Sequence, residues 1–349
     1  MKYLKCVAIL LCWVSALFAA SKPTVYVLAT GGTIAGTGAS ATSSAYNPGQ
    51  LAVQTLIEAV PQLEDVANVV GEQIVSIASQ DMSDDVWLRL AKRVNAILLQ
   101  EDVAGIVITH GSDTMEETAY FLNLTVKSDK PVVLTGAMRP FTALSADGPL
   151  NLYNAVVTAA ATESKGRGVM IVMNGSILGA HGAQKTHTTD VQTFQSPNCG
   201  PLGYVHNSMP RFTMMSLKKH TVGSEFDVAG LDSLPKVGIV GSYSNVGAEV
   251  IEPFLNNGYD GIVLAGVGNG NCHKNLFPAL LKAREKGILV VRSSRIDAGP
   301  TTLYDEVDDE KCQFVASWEL NPQKARILLM LALTKTRDWR QIQRYFEEY

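Results

Sequence analysis

Little in this chain could hold a metal ion or a disulfide framework. Its 349 residues include 5 cysteines. Cys6 and Cys12 fall in an amino-terminal apolar stretch, and Cys199, Cys272 and Cys312 are too widely spaced for a small-domain staple or a zinc site. At most one bridge could form among those three. His110, His181, His187, His206, His220 and His273 are scattered and no His-Glu-x-x-His occurs, so no metal is expected. A phosphate P-loop is missing, and so is the Gly-x-Ser-x-Gly of one large class of serine hydrolases. Neither sign of charge dominates: 29 Lys and Arg against 33 Asp and Glu leave a formal net charge of -4. That balance makes nucleic acid or an anionic membrane a poor partner. The apolar run Val7 to Ala19 is shorter than the roughly 20 residues of a membrane span.

That run does have the layout of a secretory signal peptide over residues 1–20. Lys2 and Lys5 precede it, and the small residues Ala19, Ala20 and Ser21 follow. Leu11 before Cys12 is bulkier than lipoprotein processing usually accepts, so Cys12 is read as part of the discarded peptide. The expectation is a periplasmic protein with no membrane segment in its mature form, and more acidic for the loss of two lysines.

Hydrophobic residues make up 46% of the chain, enough to bury a large core, and the length favours two domains. Strand-length runs rich in Val and Ile recur at Val25 to Leu28, Ile74 to Ala78, Ile106 to Thr109, Val132 to Thr135 and Val169 to Met173. Helical spacing lies between them, as in Ser83 to Leu99, where Val86, Leu90, Ala91, Val94, Ile97 and Leu98 form one stripe behind a Ser83 cap. Alternation of this kind predicts an α/β fold with a mostly parallel sheet flanked by helices. Residues 200–235 break the rhythm with Pro201, Gly203, Pro210, Gly223, Gly230 and Pro235. The expected organisation is therefore a larger amino-terminal domain over 21–213, a linker over 214–235 and a smaller parallel α/β domain over 236–349. In the second domain Val237 to Val240, Ile262 to Ala265 and Leu289 to Val291 read as strands. Residues 247–256, 275–286 and a stretch from Pro322 through Leu333 read as helices.

Chemistry-bearing residues follow the early strands. Thr33 lies in the turn Gly31-Gly32-Thr33, Ser79-Gln80-Asp81 follows the second strand, Ser112-Asp113 the third, and Gly136-Ala137-Met138-Arg139 the fourth. Each piece has a plain reading as well: Thr33 as a turn residue, Asp113 with Glu116 as a helix capping box. Together they would line one crevice at the strand ends. Two hydroxyls beside an acid suggest acyl transfer, which needs a base and an oxyanion site. Lys185, in a polar stretch after the fifth strand, is a candidate to take a proton from Ser112 if burial lowers its pKa. Gly266-x-Gly268-x-Gly270 reads as a turn whose Asn269 and Asn271 supply amides. The segment 36–49 is small and polar except for Tyr46, and is expected to act as a mobile lid.

At these residues the chain resembles the bacterial type II L-asparaginases over nearly its whole mature length. The likeness runs through Ala29 to Gly36, Ser79 to Met82, His110 to Tyr120, Gly136 to Pro140, Ser145 to Pro149, Lys185 to Asp190, Ala265 to Asn271 and Val290 to Arg295. The resemblance implies hydrolysis of L-asparagine to L-aspartate and ammonia, weaker action on L-glutamine, and no cofactor. It also implies a homotetramer built from intimate dimers that share active sites. Carried over by position, Thr33 is the nucleophile, Tyr46 helps activate it, and Ser112, Asp113 and Lys185 form a second hydroxyl, acid and lysine group. Ser79, Gln80, Ser112, Asp113 and Ala137 hold the substrate, while Asn271 and Glu306 reach in from a neighbouring subunit.

Two departures accompany the likeness. Ser112 stands where the family usually has threonine, which keeps the hydroxyl and drops the methyl that stiffens its rotamer. One half-cystine position of some relatives is Ser128 here, and Leu98 to Glu101 contains no cysteine. A signal peptide and two α/β domains also describe a periplasmic amino-acid-binding protein, but that reading gives Thr33, Tyr46 and Lys185 no task.

Overall fold

The computed structural model describes residues 22–42 and 45–349, so the signal-peptide reading of residues 1–20 lies outside the described residues. Strand β1 (Thr24–Gly31) leads into a two-strand hairpin of β2 (Thr37–Gly38) and β3 (Tyr46–Asn47). Then come β4 (Asn68–Ile77), β5 (Val103–Thr109), β6 (Val132–Thr135), β7 (Val169–Met173) and β8 (Ser176–Gly179). A small ladder pairs β9 (Gln184–Lys185) with β10 (Phe194–Gln195), and a hairpin of β11 (Gly203–His206) and β12 (Met209–Phe212) follows. Eight of these strands form one sheet in the order β12-β11-β8-β7-β6-β5-β1-β4.

Strands β1, β4, β5, β6 and β7 are parallel, with β4 at the edge, and β5, β6 and β7 are buried along almost their whole length. Burial on both faces explains why they appear in the sequence as unbroken Val and Ile runs, without alternation. Their side chains still alternate in space. Leu28, Ile106, Ile108 and Leu134 enter one core, and Val25, Val27, Val107 and Val133 the other. Helices α1 (Asp84–Leu98) and α2 (Met115–Thr125) cover the first face, and α3 (Gly148–Ala160) covers the second. Ser83 does cap α1, accepting from the Val86 amide at 3.4 Å.

A second, four-stranded parallel sheet takes β13 (Val237–Gly241), β14 (Gly261–Gly266), β15 (Leu289–Ser294) and β16 (Val315–Ala316) in that order. Helix α4 (Phe277–Glu285) contributes Leu280 and Ala283 to its outer core. Helices α5 (Pro322–Leu333) and α6 (Trp339–Glu348) lie on its inner side. Asn321 caps α5 by accepting from the Lys324 amide, and proline takes the first helical position. The two sheets share one continuous apolar cluster, because α5 packs directly on α2 and Val263, Val291 and Ile327 join the residues of α1 and α2. Each fully buried Leu or Ile in such a core contributes about 1.5–3 kcal/mol.

Two stretches fold differently from their sequence pattern. The stretch from 200 onward is not without regular structure, since β11 and β12 extend the large sheet antiparallel to β8. That sheet therefore carries an antiparallel edge beyond its parallel centre. The helix expected over 247–256 is broken into a 3-10 turn, Ala248–Val250, and a short helix, Glu252–Asn256, with Pro253 at the break. Residues 214–235 hold only a 3-10 turn at Thr221–Gly223, yet Phe226 and Val228 are fully buried, with Phe226 packed on Tyr345 and Tyr349. Cys199, Cys272 and Cys312 are all free thiols.

Candidate active site

Parallel strands end on the same side, and β6, β5, β1 and β4 are immediate neighbours. Their carboxyl ends bring Ala137, Ser112, Thr33 and Ser79 along a single edge, where open α/β sheets place ligands. Glycines permit the approach. Gly31 and Gly32 take φ values of 106° and 81°, conformations costly for any side chain. A Cβ on Gly111 would stand 2.6 Å from Ser79 Oγ and 3.2 Å from the Gly32 Cα. The turn after β5 is thus in close contact with the turns after β1 and β4, which places the residues carrying the three hydroxyls on one edge.

Thr33 opens a 3-10 turn, Thr33–Ala35, and is 7% exposed. Its Oγ1 is 2.7 Å from Tyr46 Oη, with either oxygen able to donate. Tyr46 stands on β3, and its ring lies over Gly36, where a Cβ would meet the ring at 2.8 Å. The hairpin expected as a lid therefore holds its one aromatic residue against the buried threonine, although it also leaves Tyr46 38% exposed.

Ser112 lies beside a second group. Lys185 Nζ donates to Ser112 Oγ at 2.9 Å and to Asp113 Oδ1 at 2.6 Å. The lysine side chain is 16% exposed and the aspartate 59%, so the ion pair reaches from the interior to solvent. The backbone of Lys185 is held as firmly. Its amide donates to Glu116 Oε2 at 2.6 Å, and Glu116 Oε1 accepts from Asn321 Nδ2 at 2.7 Å. Lys324, fully buried, donates to the carbonyls of His181 at 2.9 Å and of Ala183. Burial pulls the Lys324 amine below its usual range, with Glu116 acting the other way.

The capping box expected from Asp113 and Glu116 is not formed. Thr114 is the cap residue of α2 and makes no side-chain cap bond, while Glu116 faces Lys185 and Asn321. Asp113 instead joins the lysine, and its amide donates to Ser79 Oγ at 3.3 Å.

His110, read in the sequence only as one of several scattered histidines, organises the β5 turn. Trp87 Nε1 can only donate, and it does so to Thr118 Oγ1 at 2.8 Å. The threonine hydrogen is then free to donate to His110 Nε2 at 2.9 Å, and Nδ1–H donates to the Gly111 carbonyl at 2.7 Å. That order of donors requires a neutral ring, and burial pushes His110 down to about 4.

The remaining predicted residues are placed less closely. Ser79 is buried and accepts from Asp113, Ala137 is fully buried, and Gln80 is exposed in the 3-10 turn Ser79–Asp81. Asn271 is half-buried in the turn after β14, and Glu306 is exposed in the loop before a short helix, Asp309–Cys312. Among the described residues neither is bonded to Thr33, Ser112 or Lys185, so one chain does not bring them into this cluster. A groove of about 590 Å³ opens beside Asp113 and Lys185 and is lined also by Glu117, His187, Arg295 and Gln323. Burial pushes the Glu117 carboxyl up to about 7, against the pull of Arg326. Among the described residues no group of three or more His, Cys, Asp or Glu gathers as a metal site.

The site can offer a paired hydroxyl as nucleophile, a lysine–carboxylate pair next to a second hydroxyl, and backbone N–H groups at turns. Comparison with known proteins agrees in kind. Residues 24–217 match a family model described as Asparaginase, N-terminal, and residues 236–346 match the Glutaminase/Asparaginase C-terminal domain. The chain is similar to the "Probable L-asparaginase periplasmic" of Haemophilus influenzae, 59% identical over 95% of this chain and 94% of that one. It is 58% identical to the "L-asparaginase 2" of Escherichia coli over 94% of this chain and 93% of that one. With the "Glutaminase-asparaginase" of Pseudomonas fluorescens it shares 46% over 93% and 90%. The crystal structure of a "Probable Cytoplasmic L-asparaginase from Campylobacter jejuni" superposes with a TM-score of 0.91 at 51% identity, covering 94% of this chain and 100% of that one.

Proposed function

The chain belongs to the asparaginase family, with both family domains present, and we propose that it hydrolyses L-asparagine to L-aspartate and ammonia through an acyl-threonine intermediate. The observation that carries this reading is the 2.7 Å contact between Thr33 Oγ1 and Tyr46 Oη at a buried strand end. Thr33 Oγ1 attacks the side-chain amide carbon, and its proton passes by way of Tyr46 to the departing nitrogen, so that ammonia leaves and an ester remains. Water then cleaves the ester, returns a proton to Thr33 and releases aspartate. Lys185 and Asp113 hold Ser112 Oγ toward the reacting carbon, and N–H groups where α2 begins favour negative charge.

A substrate with both an ammonium and a carboxylate needs acceptors and donors on opposite sides. Asp113 and the hydroxyl of Ser79 supply both kinds within the chain, joined by Ser112, Gln80 and Ala137. Glu306 and Asn271 complete the ammonium side from a neighbouring copy in a homotetramer of intimate dimers. L-Glutamine, one methylene longer, is a second and weaker substrate; such a difference is worth only roughly 1–3 kcal/mol in a pocket. The pattern of residues 1–20 supports export to the periplasm.

Thr33→Ala should abolish ammonia release while aspartate still binds. With the unsubstituted enzyme, quenching during turnover and digesting the chain should yield a peptide carrying an aspartyl ester on Thr33. Normal turnover in Thr33→Ala would refute the assignment.

A further inference from the structure

We propose that the buried Arg292–Asp309 pair is a positioning device that presents Asn271 and Glu306, on two separate loops, as one unit to the active site of a neighbouring subunit. The proposal rests on the shared-site reading above. Arg292 lies on β15 and Asp309 opens a short helical turn, with side chains 3% and 0% exposed. Arg292 Nε and Nη2 donate to the two carboxylate oxygens of Asp309, each at 2.7 Å. The rest of the guanidinium turns to the loops. Nη1 donates to the Asn269 carbonyl at 3.0 Å, and Nη2 also donates to the Thr302 carbonyl at 2.9 Å.

One planar cation therefore ties the turn that carries Asn271 to the loop that carries Glu306. Asp309 Oδ2 also accepts from the Tyr304 amide at 3.0 Å, where Tyr304 takes a φ of 62°. The loops are stitched to each other as well. Asn269 Oδ1 accepts from the Thr302 amide at 2.8 Å, and Asn269 Nδ2 donates to Thr302 Oγ1 and Asp305 Oδ2, each at 2.7 Å. Thr302 Oγ1 donates in turn to Asp305. Gly270 sits on the guanidinium, and a Cβ there would be 3.2 Å from Arg292 Nη1 and 2.6 Å from the Thr301 methyl.

These bonds end at Asn269, two residues before Asn271, and at Asp305, one residue before Glu306. Among the described residues Glu306 makes no side-chain bond within its own chain and is exposed. Ion pairs buried at this depth add little net stability, so the arrangement is better explained by the geometry it imposes. Lysine, with three donors on one atom and no planar fork, cannot replace the four bonds that Arg292 makes to Asp309 and the two carbonyls.

The test uses mixed oligomers made by co-expressing two differently tagged chains and isolating those that carry both tags. The reference pairs a Thr33→Ala chain, which donates an intact Glu306, with a Glu306→Ala chain, which keeps an intact Thr33. Only sites combining the two intact halves should work. Adding Arg292→Lys to the Thr33→Ala chain places it on the donating side, and adding it to the Glu306→Ala chain places it on the receiving side. On the donating side we expect the restored ammonia release to fall at least tenfold, mainly through a higher KM. On the receiving side it should stay within about twofold of the reference. No activity in the reference oligomer would sink the shared-site reading and this inference with it. An active reference in which Arg292→Lys acts equally from both sides, or from neither, would overturn the inference alone. If Arg292→Lys chains do not assemble, Thr302→Val, which removes the hydroxyl bonds to Asn269 and Asp305, takes the same two placements under the same criteria.

Discussion

Gly111→Ala isolates the close approach on which the site depends. Gly111 does not have a positive φ, so alanine brings no backbone strain and acts only through its methyl group. That methyl would stand 2.6 Å from Ser79 Oγ, 2.8 Å from Ser79 Cβ and 3.2 Å from the Gly32 Cα, whereas ordinary contact begins at 3.4 Å. Turning the Ser79 hydroxyl relieves the first contact and not the second, because Cβ moves only with the backbone. The 3-10 turn Ser79–Asp81 must therefore retreat by roughly 0.6 Å, and the β1 turn by a smaller amount. Displacements approaching 1 Å in a catalytic arrangement cost up to ~100-fold, so a fall of about 10- to 50-fold in kcat/KM is expected, equivalent to about 1.4–2.3 kcal/mol. Ser79 is proposed to hold substrate, so much of the loss should appear in KM. Stability should fall by about 1–3 kcal/mol, as for other overpacked sites. Gly230→Ala is the control, since a Cβ there meets nothing within 4 Å. Ammonia release at varied asparagine concentration, beside urea unfolding of both variants, gives the comparison. A Gly111→Ala enzyme within about threefold of the parent in kcat/KM would show that contact between the two turns does not set the geometry.

Three further expectations follow from particular bonds. Glu116→Gln places an amide NH₂ against either the Lys185 amide or Asn321 Nδ2, and Asn321 cannot turn its oxygen there without giving up the α5 cap. Loss of about 2–3 kcal/mol is expected, and an unchanged urea midpoint would contradict it. His110, held down at about 4 against an ordinary 6.5, stays neutral in the folded chain while the unfolded chain gains a proton. Its contribution is thus complete above pH 6.5 and is lost as pH falls through 4, with a slope of up to about 1.4 kcal/mol per pH unit between them. His110→Gln should flatten the stability profile in that window, and parallel profiles would rule the histidine out. Ser112→Thr restores the methyl that stiffens the rotamer, so kcat or KM for asparagine should shift while activity is retained. Identical constants would leave that methyl without a role.

The parts of this fold that were legible in the sequence are those determined by near neighbours. Parallel strands buried on both faces show as Val and Ile runs, and glycine-rich turns mark where they end, so the edge carrying Thr33, Ser79 and Ser112 is legible in the sequence. The hairpin of β11 and β12 was illegible for the opposite reason. It lies at the sheet's edge with Tyr204 and Met209 exposed, and Gly203 and Pro210 within it read as breakers, though Pro210 suits the edge strand β12 and Gly203 permits close approach to the Arg211 backbone. Glu116 shows the deeper limit. The spacing from Asp113 to Glu116 is a valid local signal for a cap, but a buried carboxylate satisfies whichever donors enclose it, and here these come from Lys185 and, 205 residues away, from Asn321. Lys185 was recognisable as a lysine after a strand, but nothing near it in sequence showed what would fix its position. Its backbone is held by a carboxylate on α2, and the strand's approach by the buried Lys324 on α5. Because α5 belongs to the second sheet's layer, loosening that layer against α2 should disturb Lys185 before it disturbs Thr33, whose turn is bonded to Ile77, Gly49, Gln50, Leu51 and Phe141, all of them in the first sheet's part of the chain.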